Sequence, residues 1–232
     1  MAHGHTVDDY LEAIYFLAFP VGEYGPMAGA KPTVAARVAE LLGVSRASAG
    51  EMVKRLEADG LIERGPHKEL EFTATGRAAA ERTIRRHRLI ERLLTDFMGY
   101  TPAESHDQAE ILSDTFTDEM IERIADRLGH PERCPHGWPI DPALEQRESR
   151  ELVAIAELAA DEEGTIVRVA EHDGALLHWC YDHGLEPGAT VEIESVDTDS
   201  DQIVVLVANQ ERALNAKTAE GLFVRRTAKA LG

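Results

Sequence analysis

Seven side chains stand at spacings that gather carboxylates and imidazoles on common helical faces. Asp9 and Glu12 are three residues apart, His87 and Glu91 four apart, and His106, Glu110 and Asp114 follow one another at intervals of four. Each set offers two or three donors toward a single point. Imidazole nitrogen mixed with carboxylate oxygen suits a divalent first-row cation, and facing helices are a common frame for holding one. Each set alone equally describes a solvated helix face, and spacing does not show that the helices converge. Cys134 and His136 add two donors, but one such pair without a second is a weak zinc signature. They are read as structural parts of a proline-rich loop.

The elements that must position these groups follow from periodicity. Val7, Tyr10, Leu11, Ile14 and Leu17 recur at helical spacing, which predicts a helix over 7–19, and the breaker-rich stretch 20–29 predicts a loop. A helix over 34–42 stops at Gly43. Ser45 is a suitable N-cap for another running to Ala58, closed by Asp59 and Gly60. Two helices joined by a short glycine turn form a helix-turn-helix. Small residues Ala47, Ser48, Ala49 and Gly50 leave the start of the second helix slim enough for a major groove. Residues 61–64 and 69–72 around the turn Gly65-Pro66-His67-Lys68 predict a basic-tipped hairpin, a wing. Ser45, Arg46, Ser48 and Glu51 are candidates for reading base edges, and Arg37, Lys54 and Lys68 for phosphate contacts on double-stranded DNA.

Thr73 caps a long helix over 74–98, Thr101-Pro102-Ala103-Glu104 starts another to Leu112, and Thr117 opens a third through Leu128. Their apolar stripes exceed what a winged helix needs, and surplus apolar surface points to a homodimer. Residues 129–142 hold four prolines and mark a boundary. Beyond Leu152 come short β-runs at 165–169, 190–193 and 203–207 with a helix over 175–181 between them, which predicts a small β-barrel. The fold class is mainly α with a C-terminal β domain. Its parts are a winged helix-turn-helix over 1–76, a helical metal-binding and dimerisation domain over 77–145, and an SH3-like barrel over 150–229.

A net charge of −18 argues against nucleic acid only as an average. Residues 31–92 carry 13 Lys and Arg against 9 Asp and Glu, a local net of +4, while the remainder carries −22. A basic segment on an acidic body permits DNA docking and repels contact elsewhere. Two distant cysteines, no signal-peptide pattern and no apolar run near the ~20 residues of a membrane span predict a cytoplasmic protein with no membrane partner. The absence of HExxH, P-loop, GxSxG and dinucleotide fingerprints argues against an enzyme.

Several stretches carry a family likeness: Asp8-Asp9-Tyr10-Leu11-Glu12-Ala13-Ile14-Tyr15, the helix-turn-helix, Thr73-Ala74-Thr75-Gly76-Arg77, Arg86-His87-Arg88-Leu89-Ile90-Glu91-Arg92-Leu93-Leu94-Thr95-Asp96 and Cys134-Pro135-His136-Gly137-Trp138-Pro139-Ile140. On these residues the chain resembles the diphtheria toxin repressor family, which includes iron-dependent regulators and manganese transport regulators. Its C-terminal part resembles an SH3-like domain also seen in a ferrous-iron transport accessory protein. The resemblance implies that Asp9, Glu12, His87 and Glu110 bind the activating metal. It places Glu91 and His106 in an ancillary site, with Asp173 the nearest candidate from the barrel and Glu171 and His172 close by. The family usually has Glu and His where this chain has Ser113 and Asp114, so Asp114 is a replacement ligand and Ser113 a poor one. Iron-type members place a thioether and a thiol where Asp9 and Glu110 stand. Oxygen donors with one imidazole suit Mn(II), with Fe(II) as the alternative.

The implied function is a metal-dependent repressor that binds a palindromic operator as a dimer and controls metal-ion homeostasis genes. Two other readings stay open: a winged-helix regulator not switched by metal, and a metal-handling accessory protein without a DNA role.

Overall fold

The computed structural model describes residues 5–18, 34–65, 70–148, 150–171, 174–197 and 202–227. These fall into two compact units that divide between Arg86 and His87, and each is treated by itself.

The first unit opens with α1 (Val7–Ala18), α2 (Val34–Leu41) and α3 (Arg46–Ala58). Val38 and Ala39 of α2 and Ala49, Val53 and Leu56 of α3 are buried with Leu11, Ile14 and Tyr15 of α1 in one core. Ser45 caps α3 as expected, its Oγ accepting from the Ser48 N–H at 3.0 Å. Next come the antiparallel strands β1 (Ile62–Arg64) and β2 (Leu70–Phe72), the arms of the expected wing. Its tip, with Lys68, lies outside the described residues. The chain then enters α4 (Ala74–Met98), whose N-cap Thr73 accepts from the Gly76 N–H at 3.0 Å and donates to the Gly60 carbonyl at 2.7 Å. Gly76 packs so closely on the wing that a Cβ there would stand 1.7 Å from the Leu61 oxygen.

In the second unit the rest of α4 packs on α5 (Pro102–Leu112) and α6 (Asp118–Arg127), burying Leu89, Ile90, Leu94, Ala109, Ile121 and Ala125. The capping box of Thr101 and Glu104 is present. Proline at the first position of α7 (Pro142–Glu148) begins a helix that periodicity does not announce.

The expected barrel is a six-stranded antiparallel sheet in the order β3 (Val153–Ala154), β8 (Leu222–Arg226), β4 (Glu163–Val169), β5 (Thr190–Asp197), β6 (Gln202–Val207) and β7 (Gln210–Asn215). α8 (Gly174–Asp182) and α9 (Ala216–Glu220) complete it. Between Ile166 and Arg168 the β4–β8 register shifts by a residue. This bulge turns Arg168, which is fully buried, to the face of Phe223 and Trp138, opposite Ile166 and Val169.

The loop before α7 is tied to this sheet. The Trp138 indole donates to the Val169 carbonyl at 2.6 Å, the Val169 N–H donates to the His136 carbonyl at 3.0 Å, and the Arg88 and Arg168 guanidinium groups stand over the Trp138 ring. Gly137 has φ +87°, and a Cβ there would meet the Val167 carbonyl oxygen at 1.9 Å, so the turn requires glycine.

Candidate metal centre and nucleic-acid face

One turn of α4 carries His87 and Glu91, and α5 brings His106 against them. His87 Nε2 and His106 Nδ1 each lie 3.1 Å from Glu91 Oε1 and 3.2 Å from each other, and all three residues are at most 4% exposed. An ion bonded at about 2.0–2.2 Å needs neighbouring donors roughly 2.9–3.5 Å apart, so this triangle already has the right size.

A second group shares the same carboxylate. His136 Nδ1 lies 3.3 Å from Glu91 Oε1 and 3.9 Å from Cys134 Sγ, and the Cys134 thiol donates to Glu171 Oε2 at 3.5 Å. Glu91, Cys134, His136 and Glu171 are all buried, with ligand atoms within 4.8 Å of one another. Around them Arg88 donates from Nε at 3.0 Å and Nη2 at 2.6 Å to Glu171 Oε1, and from Nη1 at 2.7 Å to both Glu145 Oε2 and the Pro139 carbonyl. Arg88 thus holds Glu171 by one oxygen and leaves the other facing Cys134. Held ligands of this kind are the usual support of a metal site.

The electrostatics match. Burial alone would raise the Glu91 carboxyl, but the charges of His136 and His87 and hydrogen bonds from His106 and His136 hold it well below the ordinary carboxylate range. Burial, then Glu91 and Glu171, push the Cys134 thiol well up. Burial works against a charged His136, yet Glu91 outweighs it and raises the imidazole. The cluster therefore holds protons that a cation would displace.

The other candidate ligands divide. Glu110 is exposed, with Oε1 3.7 Å from His106 Nε2. Asp114 is exposed in the 3-10 turn Ser113–Thr115, and the buried Ser113 spends its hydroxyl on the Ala109 carbonyl at 2.7 Å. Asp9, in the first unit, accepts from the Thr6 N–H at 2.8 Å and pairs with His5 at 3.4 Å, while Glu12 lies half-buried on the same helix. Asp173 and His172 lie outside the described residues.

The geometry brings together residues that the sequence reading set apart. His87, which the resemblance sets apart from Glu91 and His106, stands in one triangle with them. Cys134 and His136, read as structural parts of their loop, face Glu171 and Glu91. The second pair that their spacing lacks comes from α4 and from the end of β4, too far along the chain for a spacing rule to see.

On the first unit, Ser45, Arg46, Ser48, Glu51 and Lys54 form an exposed strip on α3, with Arg37 half-buried on α2. Within the strip Ser45 and Ser48 hydroxyls are 2.9 Å apart and Lys54 donates to Glu51 at 2.7 Å. Glu51 is thus held by Lys54 rather than free-standing. Among the described residues no helix is long and apolar enough to cross a membrane.

A helix-turn-helix and wing, a helical segment with a buried ligand cluster, and a small antiparallel sheet together define a metal-dependent transcriptional repressor. Three family models match in that order: iron dependent repressor, N-terminal DNA binding domain, over residues 4–70; iron dependent repressor, metal binding and dimerisation domain, over 73–142; and FeoA domain, over 153–226. The chain belongs to the iron-dependent repressor family, that of the diphtheria toxin repressor, whose members are regulators rather than enzymes. It is 31% identical over 212 residues to the iron-dependent repressor IdeR of Mycobacterium tuberculosis, covering 86% of this chain and 88% of that protein. It is 38% identical over 135 residues to the diphtheria toxin repressor of Corynebacterium efficiens, where the match spans 58% of this chain and only 55% of that protein. A solved manganese-dependent transcriptional repressor in complex with manganese superposes with a TM-score of 0.80 at 27% identity, over 96% of this chain and 100% of the other.

Proposed function

We propose that this chain represses metal-ion homeostasis genes in the cytoplasm by binding a palindromic operator as a homodimer when loaded with Mn(II), with Fe(II) as the alternative ion. The observation that carries the metal dependence is the His87–Glu91–His106 triangle, three desolvated donors spaced for one cation. The sequence resemblance adds Asp9, Glu12, Glu110 and Asp114 as ligands of the activating ion, and their oxygen donors favour Mn(II). Such an ion supplies positive charge that carboxylates and imidazoles of separate helices share.

The chain's own residues do the rest. Phe97, Met98 and Ile111 are more than half exposed, with Met120 close behind, and they supply the apolar face on which a second copy packs. Arg46, Ser48 and Glu51 meet base edges while Lys54, Arg37 and Lys68 meet phosphates. DNA binding belongs to residues 1–76, metal binding and dimerisation to 77–145, and the SH3-like part to 150–229.

The test is operator binding by fluorescence anisotropy with Mn(II) titrated into chelator-stripped protein. A 5–150-fold gain in affinity corresponds to the ~1–3 kcal/mol typical of such coupling. Equal affinity with and without Mn(II) or Fe(II) overturns the switch.

A further inference from the structure

We infer that Glu51 selects a cytosine in each half of the operator, its carboxylate accepting from the exocyclic amino group that cytosine shows in the major groove. This rests on the proposal that α3 reads base edges, and goes further by naming the base and the residue that selects it.

The packing of α3 fixes where Glu51 points. Ala49, Val53 and Leu56 are the residues that α3 buries. At about 100° per residue Glu51 falls opposite that set, with Ala47 one turn before it and Lys54 nearly one turn after. Its side chain is 75% exposed. Ala47 and Gly50, which flank it toward the start of the helix, are too short to reach a groove floor ahead of it. Glu51 is also the single acidic residue between Ser45 and Lys54.

A carboxylate in that position is costly unless a base answers it. Two phosphate strands repel it, and the segment 31–92 around it is otherwise net basic. Lys54 offsets part of the repulsion by donating to Glu51 Oε1 at 2.7 Å. An ammonium has three donors, so Lys54 can hold Glu51 and still meet a phosphate. Glu51 Oε2 has no hydrogen-bond partner among the described residues and is left for the groove.

The chemistry of that oxygen chooses the base. An ionised carboxylate only accepts. Guanine and thymine present acceptors in the major groove and repel it. Adenine sets its amino group beside the N7 acceptor, whereas cytosine shows its N4 amino group alone. Cytosine is thus the base that Glu51 favours. A glutamine at the same place supplies a donor as well as an acceptor and matches adenine N6 and N7.

The test uses the full chain loaded with Mn(II). Wild type, Glu51→Gln and Glu51→Ala each select duplexes from a randomised pool, and fluorescence anisotropy then ranks all four base pairs at every position of the selected site. Wild type should prefer cytosine at one position of each half-site by about 5–150-fold. Glu51→Gln should move that preference to adenine, Glu51→Ala should flatten it, and the other positions should keep their order in both. If both variants keep the wild-type preference at every position, or the preference they lose is not for cytosine, the assignment is overturned while base reading by α3 stands. If wild type enriches no sequence, the reading of α3 as the recognition helix fails and the assignment with it. Should a variant bind too weakly to rank, the wild type decides on a duplex whose cytosine is replaced by pyrimidin-2-one, which lacks the amino group. A loss of about the same 5–150-fold is expected, and undiminished affinity overturns the contact.

Discussion

His136 and Pro102 meet through a hydrogen bond of 3.0 Å, imidazole Nε2–H to backbone carbonyl. The bond joins the loop after α6 to the first turn of α5 and fixes which ring nitrogen of His136 is left for the cluster. Since burial and Glu91 keep Cys134 protonated and Glu91 favours the charged imidazole of His136, filling the site must expel protons. Calorimetry at pH 7 in buffers of different ionisation enthalpy should therefore show proton release on Co(II) or Zn(II) addition. Affinity should rise with pH, because a thiol held high is protonated below its pKa. A buffer-independent enthalpy would contradict this.

Arg88 is fully buried and bonded to both Glu145 and Glu171. Removing it leaves two buried carboxylates uncompensated, a loss of about 3–5 kcal/mol. Arg88→Met should lower Tm by several degrees in the metal-free protein. Arg88→Lys should recover little, because an ammonium does not reproduce the fork that spans both carboxylates.

Glu148 accepts from Arg168 at 2.8 Å and is paired with Arg133. Partial burial would raise its carboxyl, but those two guanidinium groups outweigh burial and lower it. A carboxyl lowered in the folded state stabilises fully above its unfolded pKa, near 4.3, and progressively less as pH falls below that. Urea unfolding should show Glu148→Gln less stable than wild type by about 1–3 kcal/mol at pH 7. The difference should shrink toward pH 3.

Gly137→Ala forces a methyl onto the Val167 carbonyl at a positive φ, and Gly76→Ala forces one onto Leu61. Each should cost at least the 1–3 kcal/mol typical of overpacking. Their signatures should differ. Gly137→Ala should loosen the Cys134–Trp138 turn and weaken metal uptake, whereas Gly76→Ala should expose wing amides to hydrogen exchange. Unchanged stability in both would overturn these close approaches.

On the DNA face, Lys54→Ala should weaken binding nearly uniformly across sequences and reduce the salt slope by about 1, as loss of a phosphate contact does. Arg46→Ala should instead relax preference at a particular base pair. A titration of affinity against salt on two operators separates the outcomes.

Much of the fold is legible in the sequence because local physics signals itself locally. Ser45, Thr73, Thr101 and Thr117 announce their helices by side-chain chemistry, and α3, α4, α5 and α6 start at those residues. Strand β7, Gln-Glu-Arg-Ala-Leu-Asn, gives no such sign, because it is a polar edge strand paired only with β6 and offers one buried side chain. The bulge that turns Arg168 inward is likewise invisible to a period of two. The site divides in the same way. His87 and Glu91 share a helical turn and are paired by spacing, whereas Cys134 and Glu171 meet only because the Trp138 turn docks on the end of β4.

That distance along the chain has its own consequence. Donors at His87, Glu91, His106, Cys134, His136 and Glu171 come from helix, loop and the end of a strand, so ions held among them knot the backbone as cross-links do. Tying remote residues removes loop entropy from the unfolded ensemble and grows slowly with the length enclosed. Stripping the metal should then leave the second unit easier to unfold than the metal-loaded form.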